Sequence, residues 1–300
     1  MNRGTGSFLG YWLIVASVVI VSSFTQADPL LWRVSDSANQ RSVYLFGSIH
    51  FGQSSMYPLP DNVMSRYQDA ESLVVEVDLL ASQSDEMSAL LSKYGHNNNG
   101  EKLSSLLEGD DWLRFQDICQ RQGISAERFQ HLQPWLAAIQ LTAIQMRASG
   151  YSEAYGVDRY FLGLAKREDF LKPIVELESL QSQLSIFAGL SQQEQVLFLR
   201  QTLDEYESGG DYLRQIAEAW EQGDKVQLEK LIIGAFSDAD AAQAMYEVIF
   251  AERNRRMLAS VTELLKVGRE AFVVVGVGHM IGQDGLVKQL RALGFQVEQL

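Results

Sequence analysis

Residues 271–279, with the sequence AFVVVGVGH, determine the fold that we expect for this chain. They form an apolar, β-branched run that ends in glycines and a histidine, a strong signal for a strand followed by a glycine-rich turn. A second stretch, SVYLFGSIH, repeats this order near the other end of the chain and ends at His50. In both stretches a glycine lies three positions before the histidine, Gly47 before His50 and Gly276 before His279. Because glycine lets a chain turn sharply, we expect each histidine at the carboxyl edge of the sheet, where open α/β sheets bind ligands.

Other short apolar segments complete the predicted sheet. They comprise residues 30–34, 42–48, 72–78, 173–178 and 295–298. The first two flank the turn-forming SDSANQ and are predicted to form a hairpin. Most of the chain between residues 84 and 266 has helical periodicity instead. The sequence therefore predicts an α/β fold, in which N- and C-terminal strands form a central mixed or parallel sheet and a large helical insertion caps it, within a single domain from residue 28 to residue 300.

Composition excludes several classes of function. The 300 residues are 46% hydrophobic, and Lys and Arg total 25 against 38 Asp and Glu, a net charge of −13. No excess of positive charge is available to neutralise phosphates, so we expect no nucleic-acid partner and no docking on anionic lipid. The one cysteine, Cys119, excludes an internal disulfide and any CxxC site, and its helical context predicts a buried thiol. A metal site would have to use carboxylates and the four histidines.

The N-terminus resembles an export signal. Arg3 precedes an apolar run at residues 8–21, and the small residues Thr25 and Ala27 offer a cleavage site. We therefore predict a signal peptide at residues 1–27 and a periplasmic or secreted protein. Its removal would delete one Arg and no acid, leaving 24 − 38 = −14. The alternative is an uncleaved membrane anchor, since residues 8–24 approach the length that crosses a bilayer; contact with a membrane is expected only in that case.

The histidines and the acids near strand ends are the candidate functional residues. His50 and His279 share the strand-then-glycine context, whereas His96 lies in a polar loop and His131 at a helix start, where we expect solvated side chains. Four acids also lie at or near the ends of predicted strands: Glu76, Asp78, Glu176 and Glu178. Each could be a helix cap or turn former, or a site residue with a shifted pKa.

Two imidazoles with one or two carboxylates allow two kinds of chemistry. They are a suitable shell for a divalent metal ion with an open position, which would polarise a carbonyl and lower the pKa of bound water. Without a metal, the same groups could act as general acid and base. The sequence contains no HExxH helix, no GxSxG nucleophile elbow and no GxxxxGK[ST] phosphate loop.

The paired GxxH segments, YLFGSIHFG and VVVGVGHMIG, resemble those of the TraB/GumN family, which includes the Tiki-type metal-dependent peptidases. The resemblance extends from about residue 32 to residue 300. Intermediate landmarks occur in order: LVVEVD with Glu76, YGVD with Asp158, LESLQSQ with Glu178 and Gln183, and ERN with Arg253 and Asn254. The resemblance implies a fold related to the erythromycin-esterase and ChaN-like proteins, and activity that needs both histidines and a glutamate.

Transferred to this chain, the resemblance makes His50 and His279 metal ligands or an acid–base pair, and Glu76 or Glu178 the third ligand or the base that activates water. Arg253 would bind a substrate carboxylate or an oxyanion, the alternative being a helix-surface residue. Asp158 would belong to the site or simply brace the following helix.

Two functions remain open from the sequence. The first is an exported metal-dependent hydrolase, a peptidase that uses Mn, Co or Zn and acts on a peptide or protein substrate. The alternative is a non-catalytic protein that binds and sequesters a peptide or signal. We favour the hydrolase because both histidines and both candidate glutamates are present.

Overall fold

The computed structural model describes residues 29–36, 42–81, 84–97, 99–209, 211–237 and 240–300. The predicted signal peptide and most of the turn between the first two strands lie outside these ranges. Across the described ranges, no helix combines the length and the apolar character needed to cross a membrane.

One mixed sheet organises the described chain. Its strands, in chain order, are β1 Leu31–Ser35, β2 Ser42–Ser48, β3 Ser72–Val75, β4 Ile174–Glu176, β5 Ala271–Gly276 and β6 Gln296–Gln299. The spatial order is β4-β3-β5-β2-β1-β6. Strands β4, β3, β5 and β2 are parallel, whereas β1 is antiparallel to both β2 and β6. The predicted α/β class, the mixed sheet and the hairpin are confirmed.

The register aligns the carboxyl ends of the parallel strands. Val274 of β5 pairs with Phe46 of β2 on one side and with Val75 of β3 on the other. Strand β4 continues the sheet beyond β3, with Val75 opposite Glu176. The segments that leave these four strands therefore meet at one edge, as expected for parallel neighbours.

Helices surround the sheet and form the cap. They are α1 Asp61–Asp69, α2 Ser84–Gly95, α3 Leu103–Leu106, α4 Asp111–Arg121, α5 Pro134–Ala148, α6 Val157–Ala165, α7 Leu180–Gly189, α8 Gln192–Glu207, α9 Tyr212–Glu221, α10 Lys225–Leu228, α11 Asp240–Tyr246, α12 Glu252–Val267 and α13 Leu286–Ala292. Pro134 occupies the first turn of α5, where its missing N–H costs nothing. Two π-helical segments, Glu229–Ile233 and Glu247–Ala251, follow α10 and α11 directly.

The two largest hydrophobic clusters of the described chain contain most of the buried residues of its helical middle. Buried residues of α6 and α12, such as Phe161 and Val261, pack with the sheet strands. A separate cluster joins α4, α5 and α8 through residues such as Phe115, Trp135 and Leu199. Cys119 lies buried in this second cluster, as predicted. The cap therefore rests on its own core, while α6 and α12 connect directly to the sheet edge.

Candidate functional site

The sheet edge brings together four of the six candidate residues that the sequence places at or near strand ends. His50 follows β2, Glu76 follows β3, Glu178 follows β4 and His279 follows β5. Strand pairing extends slightly past β3 and β4, because the Glu178 N–H donates a 2.9 Å hydrogen bond to the Glu76 carbonyl. His50, Glu76 and His279 line a cavity of about 350 Å³ together with Arg253. Glu178 does not line this cavity but forms an ion pair with Arg253, which does.

Arg253, on the first turn of α12, holds both glutamates. Its Nε donates to Glu178 Oε2 at 3.0 Å, and its Nη2 donates to Glu178 Oε2 at 2.7 Å and also to Glu76 Oε2. Gln183 of α7 donates to Glu76 Oε2 at 3.0 Å and to Glu178 Oε2 at 3.2 Å. All three charged side chains are nearly buried, with 9% of Arg253, 12% of Glu76 and 4% of Glu178 exposed. Arg253 is therefore a buried cation rather than a helix-surface residue, and its guanidinium is largely engaged by carboxylates.

The environment of Glu76 keeps it ionised. Burial opposes its charge, but His279, Arg253 and His50 and the Gly276 N–H outweigh burial and lower its pKa to about 2. The Gly276 N–H donates to Glu76 Oε1 at 2.6 Å. Since His279 is itself neutral at neutral pH (below), Arg253 and the protonated His50 are the cations that act on this carboxylate under those conditions.

His279 is buried, neutral and fixed in orientation. Burial lowers its pKa to about 4, and 4% of the residue is exposed. Its Nδ1 lies 2.6 Å from Asn254 Oδ1, and Asn254 Nδ2 donates to the Asp284 carbonyl at 2.7 Å. Because the Asn254 amide N–H is used there, its oxygen faces the imidazole, and Nδ1 of His279 carries the proton. The lone pair is then on Nε2, which lies 4.0 Å from Glu76 Oε2.

His50 lies at the mouth of the cavity with its side chain 63% exposed. Its Nδ1 lies 3.3 Å from Asp158 Oδ1, and the Asp158 charge raises the pKa of His50 to about 9. Asp158 belongs to the first turn of α6, whose N-cap is Gly156. A Cβ at Gly156 would lie 2.4 Å from the His50 carbonyl oxygen, so a glycine is needed there for α6 to approach the histidine. Asp158 therefore contacts His50 directly, in addition to lying in the first turn of α6.

The turn that carries His279 is shaped by an aromatic neighbour. Phe250, in the second π-helical segment, has its ring centroid 5.2 Å from that of His279. A Cβ at Gly278 would lie 2.6 Å from Phe250 Cε1. The second glycine of GVGH therefore makes room for this ring.

Two of the candidate acids lie elsewhere. The Asp78 N–H donates to Glu176 Oε1 at 2.6 Å, and the Asp78 carboxylate pairs with Lys166 at 2.9 Å. These contacts hold the loops after β3 and β4 and do not reach the cavity lining. Of the other two histidines, His131 is exposed, as expected, but His96 is half-buried in a bridge to Leu132.

The predicted three-donor set is not assembled around one point. Within the described residues, no group of three or more His, Cys, Asp or Glu side chains is arranged to hold a metal ion. Both oxygens of Glu76 already accept hydrogen bonds, from Gly276, Arg253 and Gln183. The two imidazoles are better suited as ligands, because a second side chain fixes each Nδ1 and leaves Nε2 for the cavity.

One polar atom at the cavity floor was not anticipated from the sequence. Ser48 is among the residues that line the cavity, is 1% exposed, and its buried hydroxyl has no hydrogen-bond partner. Buried polar groups are almost always satisfied, so this orphaned hydroxyl indicates that the floor receives a polar ligand or water. The serine of GSIH was its only sequence signal.

The fold and the site define a class of protein: an α/β sheet whose parallel strands bring paired GxxH histidines and a glutamate to one cavity, beside a buried arginine from a helix. The family model named TraB/PrgY/gumN family matches residues 30–299, and the chain belongs to that family.

Individual relatives agree with this assignment. The chain is 30% identical over 252 residues to the protein YbaP of Escherichia coli (strain K12), an alignment that covers 84% of this chain and 88% of YbaP. YbaP of Shigella flexneri has the same identity and coverage. A protein of Amphimedon queenslandica named "Metalloprotease TIKI homolog" is 24% identical, and the alignment covers 90% of this chain and 61% of that protein. No solved structure matches the chain.

Proposed function

We propose that this protein is an exported, metal-dependent hydrolase that cleaves peptide bonds in a peptide or protein substrate. The observation that carries the proposal is the pair of imidazoles that line the cavity with Glu76. A second side chain contacts Nδ1 of each imidazole, and the pKa of His50 is raised while that of His279 is lowered. Environments that push the pKa values of two titratable groups apart are typical of acid–base sites. The distant relationship to a protein named as a metalloprotease supports the same reading.

The donor chemistry fits a divalent ion bound mainly by imidazole. His279 is neutral with Nε2 free, the form that binds metals, and His50 would join it after losing its proton. Glu76 Oε2, 4.0 Å from His279 Nε2, is the nearest carboxylate oxygen and would need to loosen its contacts with Arg253 and Gln183 to bind directly. A bound Mn, Co or Zn ion would supply Lewis acidity for the carbonyl and for the attacking water.

The residues of the chain would divide the remaining work. Glu76 stays ionised through its neighbours, and once released from its contacts with Arg253 and Gln183 it would accept a proton from water. In the alternative without a metal ion, His50 would carry a proton at neutral pH and donate it to the leaving amine. Arg253 keeps the buried carboxylates from repelling each other, so that Glu76 remains charged.

Export is proposed from the N-terminal sequence pattern alone. The positive start, the apolar run at residues 8–21 and the small residues Thr25 and Ala27 support a cleaved signal peptide and a periplasmic or secreted location.

One observation favours the second candidate, a protein that binds and sequesters a peptide. Arg253 pairs with both glutamates, so neither carboxylate is free to act as a base, which suits a binding cavity that does no chemistry. Such a binder would not need a metal ion.

Chelation and reconstitution test the proposal. A quenched fluorescent peptide mixture is incubated with the protein before and after treatment with a chelator, and then with added Mn, Co or Zn. The hydrolase predicts cleavage that is lost on chelation and regained with one of these ions. Peptides that remain bound but intact in mass spectrometry, with or without metal, would support the sequestering protein and contradict the hydrolase.

A further inference from the structure

The upper part of the site cavity is almost entirely apolar. Its side chains come from the helical cap and face the polar floor formed by His50, Glu76 and His279. We call it the apolar wall, and it comprises Met146, Phe187, Leu213, Ile216, Ile232 and Phe250. These residues come from α5, α7, α9 and both π-helical segments. Five distant parts of the chain therefore build one surface directly above the candidate catalytic residues.

Both π-helical segments of the described chain contribute to this surface. Ile232 lies in Glu229–Ile233, and Phe250 lies in Glu247–Ala251. A π-helical turn disrupts regular helix geometry, and such turns occur frequently at functional sites. Here, both place an apolar side chain over Gly278, since a Cβ at that glycine would contact Phe250 and Ile232 at 2.6 and 3.1 Å. The irregular backbone therefore coincides with the wall nearest to His279.

The charges of the cavity lie at its floor. Among the described residues that line it, the ionisable side chains are His50, Glu76, Arg253 and His279. Glu76 and Arg253 are paired with each other, so the apolar wall offers no free charge to a lysine, arginine, aspartate or glutamate of a ligand. A buried charge without a partner is strongly disfavoured.

The size of the cavity matches a large apolar side chain. A dry cavity of about 150 Å³ lined by aliphatic and aromatic residues is enough to bind benzene. The present cavity, at about 350 Å³, has room for one such group and for the backbone that carries it to the floor.

We infer that the apolar wall is a specificity pocket, which selects peptides with a phenylalanine, leucine, isoleucine or methionine next to the bond that lies over His279 and Glu76. This inference rests on the proposed function and names its substrate class. The apolar side chain would occupy the wall, and the peptide bond beside it would then lie over the polar floor. Since one methylene changes specificity by about 10–200-fold in a hydrophobic pocket, replacing phenylalanine with alanine in the substrate is expected to lower kcat/KM at least ~100-fold.

A peptide library with mass-spectrometric mapping of the cleaved bonds tests the inference. The expected result is that most cleaved bonds are flanked by one of the four apolar residues, and that lysine or aspartate at the same position prevents cleavage. Cleavage without such a preference would overturn the pocket while leaving the hydrolase intact. If no peptide is cleaved, the proposed function fails, and fluorescence anisotropy with labelled peptides decides on the pocket alone. The phenylalanine peptide must then bind at least tenfold more tightly than its lysine and aspartate counterparts; equal binding would overturn the pocket.

Filling the pocket supplies a second test. Ile216→Trp on α9 puts a larger side chain on the apolar wall, and it should shift the preference from phenylalanine to alanine at least tenfold in the ratio of kcat/KM or of affinities. Ile139→Trp makes the same substitution at a position of α5 that is 36% exposed and does not line the cavity, and it should leave the preference unchanged. Leu213→Trp replaces Ile216→Trp if circular dichroism shows that the latter does not fold. An unchanged preference in a folded pocket variant contradicts the assignment.

Discussion

Removing the guanidinium of Arg253 should destabilise the protein severely. Arg253 is 9% exposed as a side chain and is the cation that contacts both Glu76 and Glu178. In an Arg253→Leu variant the two carboxylates would share a buried space with only Gln183 as a common donor. Breaking a buried ion pair by removing one partner costs about 3–5 kcal/mol, because the charge left behind is uncompensated.

The magnitude is measurable by urea unfolding followed by circular dichroism at neutral pH. We expect the free energy of unfolding to fall by about 3–5 kcal/mol, and the melting temperature to fall by on the order of 10 °C for a chain of this size. The deficit should shrink as the pH falls, since protonation removes the uncompensated charges. Adding Glu178→Gln to Arg253→Leu should recover part of the loss for the same reason.

Arg256→Leu is the matched control. Arg256 lies one turn further along α12, is 54% exposed and approaches Glu178 only to 3.7 Å. An exposed pair contributes about 0–1 kcal/mol, so this variant should remain close to the parent protein. The control variant is expected to lose less than about 1 kcal/mol in the free energy of unfolding. A loss as small as this for Arg253→Leu would show that the buried cluster of Arg253, Glu76 and Glu178 does not stabilise the sheet edge as we describe.

Three further predictions concern the residues around His279. Asn254→Ala should lower metal affinity or activity by about 10–100-fold with little change in fold, because Asn254 fixes the imidazole; titration with metal ions checks this, and unchanged affinity and activity would remove the positioning role. Gly278→Ala should destabilise the protein by about 1–3 kcal/mol in urea unfolding, because the new Cβ would lie 2.6 Å from Phe250 Cε1; a stability equal to that of the parent would show that the ring moves freely. Burial lowers the pKa of His279 to about 4 in the folded protein. As the pH falls from about 6.5, this histidine is therefore protonated in the unfolded chain before it is protonated in the folded protein. The contribution of His279 to the free energy of unfolding should decline between pH 6.5 and 4. A His279→Gln variant should lose that part of the pH dependence, and an identical pH profile would contradict a neutral, buried imidazole.

The sequence predicted the sheet because its signals are local. The β-branched run at residues 271–275 and the glycines before His50 and His279 each act within a few residues, and the structure contains the strands and turns that they imply. Parallel pairing then brings the strand ends to one edge, so the sequence alone was sufficient to bring His50, His279, Glu76 and Glu178 to the same region.

Which of the four acids reach the site could not be predicted from local signals. Alternation places Glu76 and Asp78 on one face only while the strand continues, but β3 ends at Val75. Beyond that point tertiary contacts decide, and Asp78 pairs with Lys166 whereas Glu76 pairs with Arg253.

The apolar wall was also invisible to sequence patterns. Its residues lie on helices separated by tens of positions, and their periodicity is that of ordinary core packing. Two of them, Ile232 and Phe250, point at the site through π-helical turns, which carry no recognised sequence signature here. Asn254, the partner of His279, lies in the ERN segment, but only the tertiary structure shows its contact with the imidazole.

The central claim is that the paired histidines carry out peptide hydrolysis at the sheet edge. The most direct measurement is the mass spectrum of a peptide mixture after incubation with the wild-type protein, with His50→Ala or with His279→Ala. His131→Ala is the control, because His131 is exposed and does not line the cavity. The account predicts cleavage products with the protein and with His131→Ala, and intact peptides with the other two variants. Wild-type cleavage by folded His50→Ala and His279→Ala proteins would contradict it.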